Sequence, residues 1–471
     1  MHDADKDDIY KMSLSVFTLV TLASLYNIRK FPTLADLHWE LVTFSIIAFI
    51  IFLIPASLIS AELATGWPQA GGVYVWVKEA FGERWGFTAV WLQWFQMTIG
   101  FVAALSFIAA TLSYVFNPAL ANSKLYEFVI IVVIWWALTF FNMRGLKTYT
   151  LISSSFLIIG MIIPSMLLIG GGLWYIISGH PVQMTYSPVL SDFLPDFTRL
   201  NSMVLLLTSV FLFFGIEMTA SHAKEIKDVK RDYPLAILIV GLVITAASIV
   251  GSILLAMLVP TGNLNLLAGI MQAFEKILGN HSWLVSAIAL MIAIGSIGEA
   301  STWILGPIRG LASTAKEGSL PPVLQKTNKN KIPVNMLILQ AILITFWAAV
   351  YALLPGGVNG SYWMLLTLTS LVYLVMYFLM YAAAIKLRYS HPDVKRAFKI
   401  PGGKKGMWLA SGLGIIALLF IFMLAIIPPS QISFSGLSSL QYQITMLTAA
   451  AFITLVPLII YSRRRPEWKP F

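Results

Sequence analysis

Residues 23–33 read ASLYNIRKFPT, and they follow directly on an apolar run, SLSVFTLVTLASLY. The run has the composition of the first half of a membrane helix. At the depth where a bilayer is driest, the chain then places four polar or helix-breaking residues, namely Asn27, Arg29, Lys30 and Pro32. Proline lacks a backbone N–H and displaces the preceding residue from helical geometry. Polar groups at that depth require buried partners or a water-filled cavity. The first membrane segment is therefore predicted to be discontinuous near Asn27 to Pro32, with Arg29 facing a cavity or a partner acid.

The composition is that of an integral membrane protein. The chain has 471 residues, of which 58% are hydrophobic and 11% charged, whereas soluble domains are about 25% charged. The acidic, polar N-terminus does not resemble a signal peptide, so the first helix is expected to remain in the mature protein. The chain has no cysteine, and no two of its six histidines are four residues apart. We therefore expect no metal site and no cofactor.

A window of about twenty apolar residues, the length needed to cross a bilayer as a helix, predicts twelve spans. They lie at 13–35, 41–61, 86–116, 126–142, 149–177, 201–221, 234–259, 284–311, 334–354, 362–386, 407–428 and 443–462. With both termini inside, 26 of the 31 Lys and Arg residues fall on cytoplasmic segments and 3 on external loops. This asymmetry supports the topology and accounts for the basic charge without nucleic acid. Residues 265–279 and 71–81 are predicted to form surface helices outside and inside, respectively.

A second interruption falls in the sixth span, SVFLFFGIEMTASHAKE. Here Gly215 and Glu217 stand among large apolar residues, and both are costly inside a membrane helix. Spans one and six are equivalent if the first ten helices form two repeats of five. Paired interruptions at equivalent positions are typical of secondary transporters, which bind substrate between unwound helices at the midplane. Two simpler interpretations remain open: a proline kink without a ligand, and Glu217 as the structural partner of Arg29. Lys30 is expected to extend outward to the membrane surface.

Four further residues are candidates for proton coupling or gating. Glu299 lies among small residues in AIGSIGEASTWILGP, where close helix packing would bury it. Glu62 falls near the cytoplasmic end of its span and suits a structural or inner-gate role. Tyr373 and Tyr377 are four residues apart and share one helix face. For all four, a buried side chain satisfied by hydrogen bonds is the alternative.

Several blocks of sequence resemble one family. The strings IPASLISAELATGWPQAGGVYVWVKEAFGERWGF, FFGIEMTASHAKEIKDVKRDYPLA, GEASTWILGPIRGL and HPDVKRAFKIPGGKKG are similar to regions of amino-acid/polyamine/organocation transporters. More narrowly, they resemble the glutamate/γ-aminobutyrate antiporter branch. The resemblance extends from the first span to the eleventh.

The resemblance implies an all-α membrane fold of the leucine-transporter type. It implies a five-plus-five inverted repeat, with a first repeat at 1–180, a second at 181–390, and helices eleven and twelve with a short C-terminus at 391–471. It also implies a bacterial inner membrane, with the lipid bilayer and small-molecule amino-acid substrates as the partners, and it leaves the oligomeric state open. The substrate-binding residues carried over from the family are Ser24, Tyr26, Asn27, Arg29, Phe214, Gly215, Ile216 and Glu217.

The implied activity is exchange of an external, glutamate-like amino acid for an internal amine such as γ-aminobutyrate. Arg29 is not expected in a glutamate exchanger and is closer to the tyrosine/tyramine type, so that substrate pair stays open. Some relatives place a lysine on the fifth span in place of a bound cation, and Gly160 stands at that depth here. A proton-coupled symporter is the other alternative. An enzyme is disfavoured, because the chain has no cysteine and its histidines are peripheral.

Overall fold

The computed structural model describes residues 11–69, 71–144, 158–184, 187–198, 203–279, 282–330, 332–429 and 436–469. All regular structure in these ranges is helical, and the described residues contain no strand beyond one isolated bridge between Met12 and Ile226. The prediction of an all-α membrane protein is therefore confirmed. The beginnings of the predicted fifth and sixth spans, at 149–157 and 201–202, lie outside the described residues.

The helices are, in chain order, α1 (Leu14–Leu25), α2 (Phe31–Ala35), α3 (Glu40–Gly66), α4 (Val73–Phe81), α5 (Glu83–Phe116), α6 (Lys124–Met143), α7 (Ile158–Ile177), α8 (Leu206–Phe211), α9 (Val229–Leu258), α10 (Gly269–Leu278), α11 (Trp283–Lys316), α12 (Val334–Leu353), α13 (Gly357–Ser390), α14 (Gly403–Ala425) and α15 (Ser439–Ser462). Within the described ranges, ten of these are long and apolar enough to cross a bilayer: α3, α5, α6, α7, α9, α11, α12, α13, α14 and α15. The shorter apolar helices α1 and α8 fall in the predicted first and sixth spans.

Three helices are much longer than one crossing of the bilayer requires. α5, α11 and α13 have 34 residues each, which corresponds to about 51 Å at 1.5 Å per residue. The hydrocarbon core is only about 30 Å thick. Charged residues such as Glu83 and Arg388 continue these helices beyond the apolar stretch. A hydropathy window stops at such residues, although they are good helix formers.

Helices α4 and α10 are present within the two segments that are predicted to lie on the membrane surfaces. α4 packs against α5 and α13, and its buried residues include Tyr74, Trp76 and Val77. In α10 the buried residues include Ile270, Met271 and Phe274, all on one side of the helix. This one-sided burial is the amphipathic pattern expected of helices that lie along a membrane surface.

The long helix α5 packs against both α11 and α13, and the interrupted segments pack mainly against α9 and α3. α7 crosses α11 at very short range, where Gly160 meets Gly295. A Cβ atom at position 160 would lie 2.8 Å from the Gly295 nitrogen and 2.9 Å from the Met291 carbonyl oxygen. Small residues allow such close backbone approach between membrane helices. The crossing leaves no space for a lysine at position 160.

Candidate functional site

The first interruption lies at Tyr26 and Asn27, where the backbone is extended. The Asn27 side-chain oxygen accepts a hydrogen bond from the Arg29 N–H at 2.8 Å and thereby caps the short 3₁₀ segment Ile28–Lys30. Pro32 is the second residue of α2. It therefore helps to start the second half of the span, and the break precedes it. The interruption, Tyr26 to Lys30, overlaps the predicted range of Asn27 to Pro32, and Pro32 itself lies beyond it, because proline is well tolerated in a first helical turn, where its missing N–H has no partner to lose.

The second interruption follows α8. Gly215 has a left-handed backbone with φ of 95°, which residues with a Cβ rarely adopt. A 3₁₀ segment, Ile216–Glu225, follows it. The Gly215 N–H, which cannot join a helix here, donates to the Tyr377 hydroxyl at 3.1 Å. Glycine at this position thus permits the sharp change of direction between the two halves.

A cavity of about 190 Å³ lies where the two interruptions meet α5, α11 and α13. It is small compared with drug-sized pockets of about 300–1,000 Å³ and suits a molecule of amino-acid size. The interrupted segments contribute Ser24, Asn27, Arg29, Lys30, Phe214 and Gly215 to its wall. The long helices contribute Gln96, Glu299, Trp303, Tyr362, Thr369 and Tyr373. Polar groups therefore converge on an otherwise apolar wall, as in most small-molecule sites.

Charged groups of both signs line this cavity. Asn27 donates to the Glu299 carboxylate at 2.6 Å and so joins the first interruption to α11. The charges of Arg29 and Lys30 act on the same carboxylate. With two cations against one acid, the cavity wall carries an excess of positive charge. Such a wall favours a ligand that has one more carboxylate group than it has amino groups.

Lys30 does not extend to the membrane surface, so that expectation is wrong. Its ammonium lies 3.2 Å from the Leu212 carbonyl oxygen and 3.4 Å from the Leu25 carbonyl oxygen. Both carbonyls are at the C-terminal ends of interrupted half-helices, where backbone acceptors lack partners within the helix. These two carbonyls stabilise the ammonium inside the protein, so the Lys30 side chain does not extend to the membrane surface.

Glu217 lies beside the cavity without lining it, and its side chain is 2% exposed. Its carboxylate accepts a hydrogen bond from Gln93 Nε2 at 3.0 Å and further hydrogen bonds from the hydroxyls of Tyr373 and Tyr377. The Phe214 ring packs against both tyrosine rings, with centroids 5.3 Å and 5.9 Å away. The described structure shows no ion pair between Glu217 and Arg29. Glu217 therefore ties the sixth-span interruption to α5 and α13.

Glu62 belongs to a separate cluster at the end of α3. Its carboxylate pairs with Arg388 at 2.8 Å and Arg396 at 3.4 Å, and it accepts the Ile400 N–H at 2.8 Å. All three charged side chains are at most 3% exposed. Burial lowers the pKa of Arg396, and the Glu62 carboxylate acts in the opposite direction. The cluster fastens α3 to the loop that follows α13.

The structure thus divides the predicted residues into three groups. Seven line the cavity: Ser24, Asn27, Arg29, Phe214, Gly215, Glu299 and Tyr373. Tyr26, Ile216, Glu217 and Tyr377 lie outside its lining, and the Tyr26 hydroxyl instead donates to Ser165 on α7 at 2.7 Å. Glu62 is in the separate cluster just described.

Apart from Tyr373, the sequence analysis did not identify the wall contributed by α5 and α13. Gln96, Thr369 and Ser370 line the cavity, and each stands in a long, largely apolar helix. Gln93 and Gln96 were the available signal, because two amides in WLQWFQMTIG have no reason to face lipid. Which helix face points inward depends on tertiary packing, so hydropathy alone could not select them.

Comparison with known proteins places this geometry in a family. The amino acid permease family matches residues 13–452. A glutamate/gamma-aminobutyrate antiporter of Lactococcus lactis is 35% identical over 96% of this chain and 90% of its own length. An uncharacterised transporter of Legionella pneumophila is 38% identical over 90% of this chain and 91% of its own. A probable agmatine/putrescine antiporter of Lactococcus lactis is 25% identical over 88% and 85%, respectively.

The match covers both interruptions, the cavity and all ten long apolar helices apart from the last residues of α15. These relatives are transporters, and the polar cavity between interrupted helices is what transport of a small molecule requires. The chain therefore belongs to the amino acid permease family and is a multi-pass membrane transporter of amino acids, not an enzyme.

Proposed function

We propose that this protein is an antiporter that takes up an external acidic amino acid of the glutamate type and releases an internal amine of the γ-aminobutyrate type. The observation that carries the proposal is the excess of positive charge, Arg29 and Lys30 against Glu299, in the cavity between the interrupted helices. A substrate with one carboxylate in excess would balance it. The name of the Lactococcus relative, a glutamate/gamma-aminobutyrate antiporter, points to the same class of substrate.

In this proposal the cavity wall supplies the contacts to each part of the substrate. Arg29 binds a carboxylate, for which its planar guanidinium suits paired hydrogen bonds. Ser24 and Asn27 from the first interruption and Phe214 and Gly215 from the second complete the wall around the substrate. Glu299 is the candidate proton-coupling acid, since it lines the cavity and its carboxylate accepts a hydrogen bond from Asn27.

Transport would proceed by alternating access around this site. We propose twelve spans, with α1 and α8 as parts of discontinuous spans one and six, and two inverted repeats at 1–180 and 181–390 followed by residues 391–471. Both termini would face the cytoplasm, in a bacterial inner membrane, as the distribution of Lys and Arg suggests. The bundle that contains the two interrupted spans would rock against the surrounding helices.

The test is counterflow in proteoliposomes. Vesicles are loaded with one unlabelled amino acid or amine at a time, and uptake of labelled glutamate and labelled tyrosine is followed. Glutamate uptake that requires internal glutamate or γ-aminobutyrate supports the proposal. Uptake of tyrosine against internal tyramine would replace the substrate pair, and uptake into empty vesicles under an imposed proton gradient would replace exchange with symport.

A further inference from the structure

Lys30 reaches back across the first interruption to two backbone carbonyls. Its ammonium contacts Leu25, five residues earlier in the chain, and Leu212, from the sixth span. One cation therefore joins the two interrupted spans. Both Lys30 and Leu25 also line the cavity, so the contact is made at the cavity wall.

These carbonyls form an acceptor site for an ammonium group. Leu25 is the last residue of α1, and Leu212 caps α8. The final carbonyls of a helix lack partners within it, and they lie at the negative end of the helix dipole. An ammonium group offers three donors and no acceptor, so it matches a pair of converging carbonyls. Leu25 lines the cavity and Leu212 does not, so a ligand's amino group would reach this pair by taking the place of the Lys30 ammonium.

We propose that Lys30 is a tethered competitor for the substrate's amino group. This inference rests on the proposed function, in that it requires an amino acid to bind in this cavity. The lysine ammonium and the α-ammonium of an amino acid are the same chemical group, and one carbonyl pair holds one of them at a time. A group tethered by a short flexible linker has an effective concentration in the millimolar range. The substrate's amino group must overcome that competition when it binds.

Displacement of Lys30 has a consequence for specificity. A buried cation without a partner is strongly unfavourable, and Glu299 is already bonded to Asn27 and close to Arg29. A second carboxylate on the substrate would give the displaced ammonium a new partner inside the cavity. An amino acid with a side-chain carboxylate recovers part of the displacement cost in this way, whereas a neutral or basic amino acid recovers none. Lys30 is thereby a specificity-determining residue that selects acidic amino acids.

The test measures what the amino group contributes to binding, with and without the lysine. Glutamate and glutarate differ only by the amino group, and their dissociation constants are measured by calorimetry on purified wild-type protein and on Lys30→Met. If Lys30 competes for the carbonyl pair, the preference for glutamate over glutarate rises by about tenfold in Lys30→Met. An unchanged preference overturns the inference.

Arg29→Met is the matched control, because it removes the other cavity cation and leaves the carbonyl pair alone. It should weaken glutamate and glutarate by the same factor, so their ratio stays at the wild-type value. A ratio that rises equally in both variants would show a general charge effect and overturn the inference. Lys30→Gln is measured as well, since its amide can still donate to one carbonyl should Lys30→Met not fold.

A second ligand pair separates this inference from the proposed function. Alanine and propionate also differ by the amino group but carry no side-chain carboxylate. If wild-type protein binds alanine and not glutamate, the proposed substrate class fails. The role of Lys30 is then decided by the ratio of the dissociation constants of propionate and alanine, compared between wild-type protein and Lys30→Met. A ratio that rises in Lys30→Met supports competition, and a constant ratio overturns it.

Discussion

At the scale of single residues, three side chains set the chemistry of the cavity. Asn27 uses both ends of its amide: the oxygen caps the Arg29 N–H and the nitrogen donates to Glu299. Arg29 is thereby held at the wall of the cavity, where its charge also acts on Glu299. ASLYNIRKFPT thus contains both the interruption and the cation that lines it. The sequence alone left open whether Arg29 faces the cavity or Glu217, and the hydrogen bonds of Glu217 to Gln93, Tyr373 and Tyr377 favour the cavity.

Replacement of Arg29 by alanine should impair substrate binding. A charge-assisted hydrogen bond contributes about 1.5–3 kcal/mol, so the half-saturation concentration for exchange should rise by about 10- to 100-fold. Arg29→Lys keeps the charge but loses the paired geometry and should be intermediate. The measurement is the concentration dependence of exchange in proteoliposomes, with protein insertion checked by gel filtration. Wild-type kinetics in Arg29→Ala would exclude it from the site.

Replacement of Glu217 by glutamine should destabilise the protein and spare substrate affinity. The carboxylate accepts three side-chain hydrogen bonds, and an amide nitrogen in its place leaves a buried donor facing another donor. The expected loss is about 1–3 kcal/mol, visible as a lower Tm in detergent. Tyr373→Phe removes one donor only and should lower Tm less. A Glu217→Gln variant with wild-type Tm but weakened substrate affinity would instead make Glu217 a substrate ligand.

At the scale of helices, the interruptions of the first and sixth spans were easier to predict from the sequence than the lengths of the helices. Proline, glycine and isolated charges revealed both interruptions, because each is costly in an unbroken membrane helix. The position of the first break could not be fixed in this way, since Pro32 is equally compatible with the start of α2. The direction of Lys30 could not be predicted either, because its partners are carbonyls of α1 and α8 that only the fold brings together. The close crossing of α7 and α11 is likewise a tertiary feature.

A single methyl group at that crossing should be destabilising. In Gly160→Ala the added Cβ would collide with the backbone of Gly295, and overpacking costs about 1–3 kcal/mol. Gly170→Ala is the matched control on the same helix, because no atom lies within 4 Å of its added Cβ. It should be neutral or stabilising by up to about 1 kcal/mol through helix propensity. Equal Tm values for the two variants would mean that α7 and α11 do not cross as described.

At the scale of the whole molecule, a polar cluster complements the cavity. Glu62, Arg388 and Arg396 join α3 to the end of α13 and to the loop after it, and the Arg396 guanidinium also stacks over the Trp67 ring at 5.1 Å. Composition and hydropathy predicted the all-helical membrane class and the approximate positions of the long helices. Glu62 was visible as an acid near the cytoplasmic end of its span, but its partners are more than 300 residues away in sequence. Such long-range pairing has no local signature.

Breaking this cluster should be among the most destabilising single changes. Glu62→Gln leaves two buried arginines without their carboxylate, and loss of one partner of a buried pair costs about 3–5 kcal/mol. Glu83→Gln is the matched control, because Glu83 and Arg464 form an ion pair whose side chains are each 37% exposed. Exposed pairs contribute about 0–1 kcal/mol. Similar Tm changes in the two variants would show that the Glu62 cluster is not buried in the membrane-embedded protein.

The central claim is that the transported molecule binds in the cavity between the two interrupted helices. The chain has no cysteine, so a single engineered thiol reports on one position without a background. Ser24→Cys places the thiol on the cavity wall, and Ser390→Cys places it at the exposed end of α13 as a control. The rate of reaction with a small methanethiosulfonate reagent is measured with and without a saturating exchange substrate. We predict that the substrate slows labelling of Ser24→Cys by about tenfold or more, as expected for an occupied pocket that buries most of a ligand's surface, and leaves Ser390→Cys unchanged. Labelling of Ser24→Cys at an unchanged rate under saturating substrate would contradict the claim.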